Sequence, residues 1–133
     1  MKIDQQQKIL NEIEVLKNKK SFKNYSLAEI QKLPTINGVC RLKFNKDYFY
    51  MLNIENDDAV VLKYLWRGFY ENTSLNIWYH ISRRDGICFD IGAHTGIYTI
   101  VGNINKKFNN IISLEPYFLN FSRMLANLKL NKI

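Results

Sequence analysis

Apolar positions at helical spacing open the chain. Ile9, Ile13 and Leu16 fall on one face beside Leu10, which predicts an amphipathic helix over 4–20. Asp4 suits its N-cap, and the closing Lys17, Lys19 and Lys20 suit the negative end of a helix dipole. A second short helix is predicted from Ser26 to Leu33. Ser26 with Glu29 three residues on has the form of a capping box, and Pro34 stops the helix. Ile36-Asn37-Gly38 signals a turn. The period then shortens to two. Arg41-Leu42-Lys43-Phe44 alternates, Asn45-Lys46-Asp47 turns, and Tyr48 to Asn53 returns, so a β-hairpin is expected. After the Asn56-Asp57-Asp58 turn or helix start, two further helices are expected at 58–68 and 73–83.

A different pattern begins at Gly86. Ile87-Cys88-Phe89-Asp90-Ile91 is a short, almost wholly apolar run, as expected of a parallel strand buried on both faces, with Cys88 a small buried residue. Gly92-Ala93-His94-Thr95-Gly96 follows, then a predicted helix over 97–107. A second apolar strand at 111–114 ends in Glu115-Pro116. The helix 118–130 comes next, with Phe121, Met124, Leu125 and Leu128 on one face. Strand, glycine turn, helix, strand, helix is the opening of a doubly wound α/β sheet. Three segments are expected: an N-terminal helical segment at 1–33, a β-hairpin and helical cap region at 34–85, and the first βαβα part of a ligand-binding domain at 86–133.

Net charge of +7 raises the question of a phosphate-bearing partner. The excess is spread along the chain: 14 basic against 10 acidic residues over 1–85, and 5 against 2 over 86–133. The one dense cluster is Lys17, Lys19 and Lys20, without the aromatic alternation of a nucleic-acid platform. A nucleic-acid partner is therefore not expected. Cys40 and Cys88 form neither a C-x-x-C pair nor a zinc-ligand pattern with His80 or His94, so no metal is expected. The first residues lack the apolar stretch of a signal peptide, and no run approaches the ~18 apolar residues of a membrane span. A cytoplasmic location is the expectation.

The chemistry gathers where the two strands end. Ligands of doubly wound sheets bind at the carboxyl ends of the strands. Asp90 lies before the turn, Gly92 and Gly96 lie in it, and Glu115 follows the second strand. Glycines let backbone approach a ligand, and a strand-end carboxylate can accept both hydroxyls of a ribose. A dinucleotide site requires G-x-G-x-x-G, whereas the turn reads D-x-G-x-x-x-G; a P-loop is absent. An acid ahead of the turn repels a pyrophosphate but suits a sulfonium and an amino group. S-adenosylmethionine is the favoured cofactor.

The run Phe89-Asp90-Ile91-Gly92-Ala93-His94-Thr95-Gly96-Ile97-Tyr98-Thr99 resembles motif I of the FkbM-family methyltransferases. Leu114-Glu115-Pro116 is similar to that family's E-P after the second strand. Asn127-Leu128-Lys129-Leu130-Asn131 resembles its N-L-x-L-N helix end, and Gly68-Phe69-Tyr70-Glu71 its upstream G-x-Y-E. The matches span residues 68–131 in order. The resemblance implies the Rossmann-like, doubly wound sheet of a class I S-adenosylmethionine-dependent methyltransferase, here incomplete and preceded by the N-terminal helices and hairpin. It also implies that Gly92, Ala93, His94 and Gly96 pass under the methionine part of the cofactor. Asp90 would hold its amino end, directly or through water. Glu115 would take the ribose hydroxyls with Pro116 beside the adenine, and Glu71 would lie near the entrance. His94 departs from the Asn more usual in that motif. The implied reaction is methyl transfer to an oxygen, or less readily a nitrogen, of a sugar or other small-molecule acceptor.

Plainer readings stand beside these. Asp90 could cap a helix or pair with the turn amides, Glu115 could be a strand-end surface charge, and Glu71 a helix cap. His94 is not expected to be a catalytic base, His80 is expected to be structural, and Trp66 and Trp78 to be core. The chain is expected to supply only the opening of the methyltransferase sheet, as a truncated or split product or a fragment inactive by itself. A missing C-terminal half or self-association would complete it. Two alternatives remain open: a non-catalytic remnant or interaction module of the same ancestry, and a fragment of an RNA methyltransferase.

Overall fold

A computed structural model of the chain describes residues 3–54, 56–104 and 110–133. It is a mixed α/β structure with two separate two-stranded sheets. By contacts the chain forms two compact units, one of residues 1–43 and 51–70, the other of 44–50 and 71–133.

In the first unit, α1 (Ile3–Lys19) turns Ile13 into the core, while Leu10 is left outside. Ser26 and Glu29 form the capping box of α2 (Leu27–Ile30): the Ser26 N–H donates to Glu29 Oε2 at 2.7 Å, and the Glu29 N–H to Ser26 Oγ at 3.3 Å. The helix ends at Ile30, ahead of the expected Leu33. Its continuation tightens into i→i−3 bonds from Lys32 to Glu29 and from Leu33 to Ile30, because the residue before a proline is disfavoured in the α region. Strand β1 (Gly38–Phe44) and strand β2 (Asp47–Asn53) pair as the expected hairpin, of which residues 44–50 group with the second unit. Cys40 and Leu42 from β1, and Met51 and Asn53 from β2, alternate inward. Buried Asn53 donates to Thr35 Oγ1 and to the Ile36 carbonyl, each at 2.8 Å. Asp58 caps α3 (Ala59–Arg67) by accepting from the Val60 and Val61 N–H groups, and Gly68 closes it in the left-handed region at φ 83°.

In the second unit, α4 (Asn72–Ile81) precedes β3 (Ile87–Ile91), α5 (Ile97–Asn103), β4 (Asn110–Leu114) and α6 (Phe118–Leu130). Strands β3 and β4 are parallel, pairing Cys88 with Ile111, Asp90 with Ser113 and Ile91 with Leu114. Helix α5 packs on α4 and on β4. Gly102 permits this closeness, since a Cβ there would meet the Trp78 Nε1 at 2.9 Å. Leu75, Ile97, Ile100, Val101 and Met124 make up much of this core. Asn131, just past α6, brackets Tyr50: its Oδ1 accepts from the Tyr50 N–H at 2.9 Å and its Nδ2 donates to the Tyr50 carbonyl at 2.7 Å.

Several expectations are corrected here. The sheet is not buried on both faces. Phe89 is 54% exposed and Ile91 77%, and Ile112 and Leu114 on the same face are also open, because among the described elements the helical packing falls on the other side. Cys88 is accordingly half-buried, and Cys40 is the buried thiol. His80 is exposed against the Tyr79 ring. Trp66 is core, but Trp78 is only half-buried and donates to the Tyr98 carbonyl at 2.7 Å. Helix α5 ends at Asn103; positions 105–107 of the expected helix lie outside the described residues. The inward face of α6 is Met124 and Asn127, whereas Phe121 and Leu125 are exposed. No helix among the described residues is long and apolar enough to cross a membrane.

Candidate functional site

The end of β3, the turn after it and the end of β4 meet through the backbone. The Gly92 and Ala93 N–H groups both donate to the Leu114 carbonyl, at 2.8 and 3.0 Å. The His94 N–H donates to Glu115 Oε2 at 2.8 Å, and the Gly96 N–H to the Ala93 carbonyl at 2.8 Å. Gly92, His94 and Gly96 all sit at positive φ, of 80°, 50° and 92°. His94 thus adopts a left-handed conformation that a β-carbon disfavours and that Asn tolerates better. Its ring Nδ1 lies 3.3 Å from Thr95 Oγ1.

The two glycines do different work. At Gly92 a Cβ would meet nothing within 4 Å, and the residue is exposed. At Gly96 a Cβ would stand 2.8 Å from Met124 Cγ. Gly96 is therefore required by the seating of α6, whereas Gly92 leaves open space beside the turn. Ala93 is buried, so the accessible part of the turn is Gly92 and His94. Asn127 holds the turn from beneath, donating from Nδ2 to the Thr95 carbonyl at 2.8 Å.

The acids differ in environment. Asp90 is buried, and its Oδ2 accepts from the Thr99 hydroxyl at 2.6 Å; that hydroxyl lies 2.6 Å from Ser113 Oγ. Burial pushes the Asp90 carboxyl above the ordinary Asp value, and the Thr99 hydroxyl and N–H offset part of the rise. This geometry matches the plainer reading of an acid paired to its own helix, and leaves little of the carboxylate at the surface. Glu115 lies at the surface with each oxygen engaged, Oε1 by the Tyr117 N–H at 2.9 Å and Oε2 by the His94 N–H. Those backbone donors, Tyr117 first, hold it below the ordinary Glu value. It stays ionised with lone pairs to spare. Pro116 is exposed, as are Tyr117 at 61% and Phe118 at 79%.

Glu71 joins this group from the far side. It sits at the N-cap of α4 at φ 39°, with no side-chain cap bond, and its Oε2 accepts from the Tyr98 hydroxyl at 2.8 Å. Burial and the neighbouring Glu71 push the Tyr98 hydroxyl up to about 12, so it remains a donor. The eight sequence candidates thus divide. Gly92, His94, Glu115 and Pro116 present surface at the turn, Asp90, Ala93 and Gly96 support it from within, and Glu71 is tied to it through Tyr98. Sequence reasoning assigned no role to Thr99, Ser113, Tyr98 or Asn127. Thr99, Tyr98 and Asn127 stood inside quoted motifs, but only packing of α5 and α6 brings them to the turn. No family model, curated protein or solved structure matches the chain.

Proposed function

We propose that the second unit is the cofactor-binding part of a class I, S-adenosylmethionine-dependent methyltransferase of FkbM type, with the Rossmann-like, doubly wound sheet of that class. The observation that carries this reading is the carboxylate of Glu115 bound to the glycine turn. Of the turn's N–H groups, those of Gly92, Ala93, His94 and Gly96 are already taken by protein oxygens, one of them anionic. A pyrophosphate needs those donors and avoids that charge. A cationic sulfonium with an adenosine does not, so the residues fit S-adenosylmethionine better than a dinucleotide. Parallel strands joined through a helix, with apolar side chains on the sheet's open face as well, also suit a doubly wound sheet.

Under this reading Glu115 accepts the ribose hydroxyls with the lone pairs its backbone donors leave free, and those donors fix its orientation beforehand. The open space at Gly92 admits the ligand against backbone. Pro116 and the exposed Tyr117 and Phe118 offer apolar surface for the adenine. Asp90 acts through water on the amino end, since its carboxylate is buried and bonded to Thr99. When bound, S-adenosylmethionine supplies an electrophilic methyl group for an acceptor oxygen, of a sugar or other small molecule. The chain's part in the rate is to hold donor and acceptor in line.

Calorimetric titration with S-adenosylhomocysteine, with NAD as control, tests the reading. Saturable binding of the first alone, lost in Glu115→Ala and weakened in Gly92→Ala, is expected. A folded chain that binds neither, or binds NAD more tightly, removes the proposal.

A further inference from the structure

The first unit carries a second concentration of chemistry that the turn does not use. A cleft of about 490 Å³ lies between the end of α1, the segment after it and the end of α3. This is within the range of small-molecule pockets. Five cations line it: Lys17, Lys19, Lys20, Lys23 and Arg67. Among the described residues no Asp or Glu lines it.

Lysines closing a helix ordinarily answer its terminal carbonyls. Here that accounts for little. Lys17 Nζ donates to the Leu65 carbonyl on α3, at 3.0 Å, rather than to its own helix. Lys20 Nζ donates to the Tyr25 hydroxyl at 2.7 Å and stands 5.1 Å from the centres of the Phe22 and Tyr25 rings. Arg67 donates through Nη2 to the Tyr25 carbonyl, while its buried Nε has no partner. Neutral oxygens and ring faces thus hold three cations together without an anion lining the cleft. Lys19 and Lys23 stand at the same cleft with exposed side chains. Burial also draws the Lys17 ammonium below its ordinary value, Glu14 restoring part of the loss.

We propose that this cleft binds a small molecule through a pyrophosphate group. Five cations lining one cleft with no acid among the lining residues call for more than one negative charge, and guanidinium and ammonium groups suit phosphate oxygens. A single-stranded nucleic acid would need ring faces for its bases. The aromatics here cannot serve: Phe22 is 2% exposed and Trp66 1%, and Trp66 spends its Nε1–H on the Pro34 carbonyl at 3.2 Å. The site is independent of the turn at Gly92, and nothing in it requires the methyltransferase reading.

The test is calorimetric titration of the whole chain with inorganic pyrophosphate, against sodium chloride at matched ionic strength. One saturable site is expected. Lys19→Ala/Lys23→Ala should weaken it about tenfold or more, since two of the five charges at the cleft are removed. Lys8→Ala/Lys32→Ala removes the same charge from residues of the same unit that do not line the cleft and should change the affinity by less than about twofold. Equal weakening by both pairs, or binding that never saturates, overturns the proposal. So does an oligouridylate that binds more tightly than pyrophosphate with a steep salt dependence, which would make the cleft a nucleic-acid surface.

Discussion

Replacing Gly96 by alanine separates the two jobs a glycine can do at this turn. The residue lies at φ 92°, ψ 19°, where a side chain costs about 1–2 kcal/mol. Its new Cβ would also stand 2.8 Å from Met124 Cγ, 3.6 Å from Met124 Cβ and 3.7 Å from Met124 Cα. The Met124 Cβ and Cα distances are ordinary contact, so the burden falls on Cγ, which must turn away within a buried site. Overpacking of this kind costs a further ~1–3 kcal/mol. Gly92→Ala carries the conformational cost alone, at φ 80° with open space around it. Gly96→Ala should therefore be less stable than Gly92→Ala by about 1–3 kcal/mol, a shift of roughly 1 M in the urea midpoint. Adding Met124→Ala to Gly96→Ala should cost less than Met124→Ala does alone, because in that background it also relieves the clash. Urea titrations followed by circular dichroism measure all four chains. Equal stability of the two alanine variants within about 0.5 kcal/mol, or strictly additive costs in the double variant, would refute the assignment of Gly96 to helix packing. S-adenosylhomocysteine titration adds the functional half: Gly92→Ala is expected to stay folded and lose affinity.

The two acids should respond to pH with opposite signs. The raised Asp90 carboxyl gives stability that is fully present below about pH 4 and is lost as pH rises through its folded value. Asp90→Asn should therefore raise the urea midpoint at pH 7, an advantage that fades in acid; a lower midpoint at pH 7 contradicts this. The lowered Glu115 contributes above the ordinary Glu range and loses its share as pH falls through its folded value. The deficit of Glu115→Gln should accordingly appear at neutral pH and vanish in acid, and a deficit independent of pH would count against the backbone-held carboxylate. Burial, with the charge of Asp58, pushes the Cys40 thiol up to about 12. Ellman's reagent at pH 8 should thus titrate Cys88 in the native chain and both thiols in guanidinium; two rapid equivalents in the native chain would exclude that difference. Asn127→Ala strands the Thr95 carbonyl in a buried place and should cost about 1–3 kcal/mol, read from the same urea curves, with no change meaning that water replaces the amide.

Local chemistry was legible wherever neighbours in sequence satisfy one another. The capping box of Ser26 and Glu29, the Asp58 cap, the hairpin turn at Asn45-Lys46 and the strand 87–91 all rest on interactions within a few residues, and they stand where the pattern put them. Part of the candidate site was legible for the same reason. A glycine turn between strand and helix, with acids on either side, is a local signature. The bond from the His94 N–H to Glu115 crosses 21 positions, yet it joins two strand ends that the order of elements already made neighbours.

What periodicity could not supply is which neighbour arrives. The apolar stripe of α6 pointed to Phe121, Met124, Leu125 and Leu128; of these Met124 is buried, in the gap that Gly96 leaves, and its inward neighbour is the polar Asn127, bonded to the Thr95 carbonyl. Cys88 sat in an apolar run and came out half-buried, because a strand's second face is buried only if another element covers it. Asp90 stood in the pattern as a candidate ligand, and its bond to Thr99 on α5 could not be read there, since it depends on how the helix packs against the sheet. The basic cleft is the same lesson at longer range. Lys17, Lys19 and Lys20 read as a solvated helix end until Arg67 is folded against them from 47 positions beyond Lys20. Sequence by itself determined most of the elements, the capping box of α2 and the residues at the strand ends, since these depend on short-range hydrogen bonds and on the spacing of apolar side chains. Tertiary structure alone decided the exposed faces, the shifted acids and the cations that meet, since burial and charge depend on what packs beside a group rather than on what precedes it.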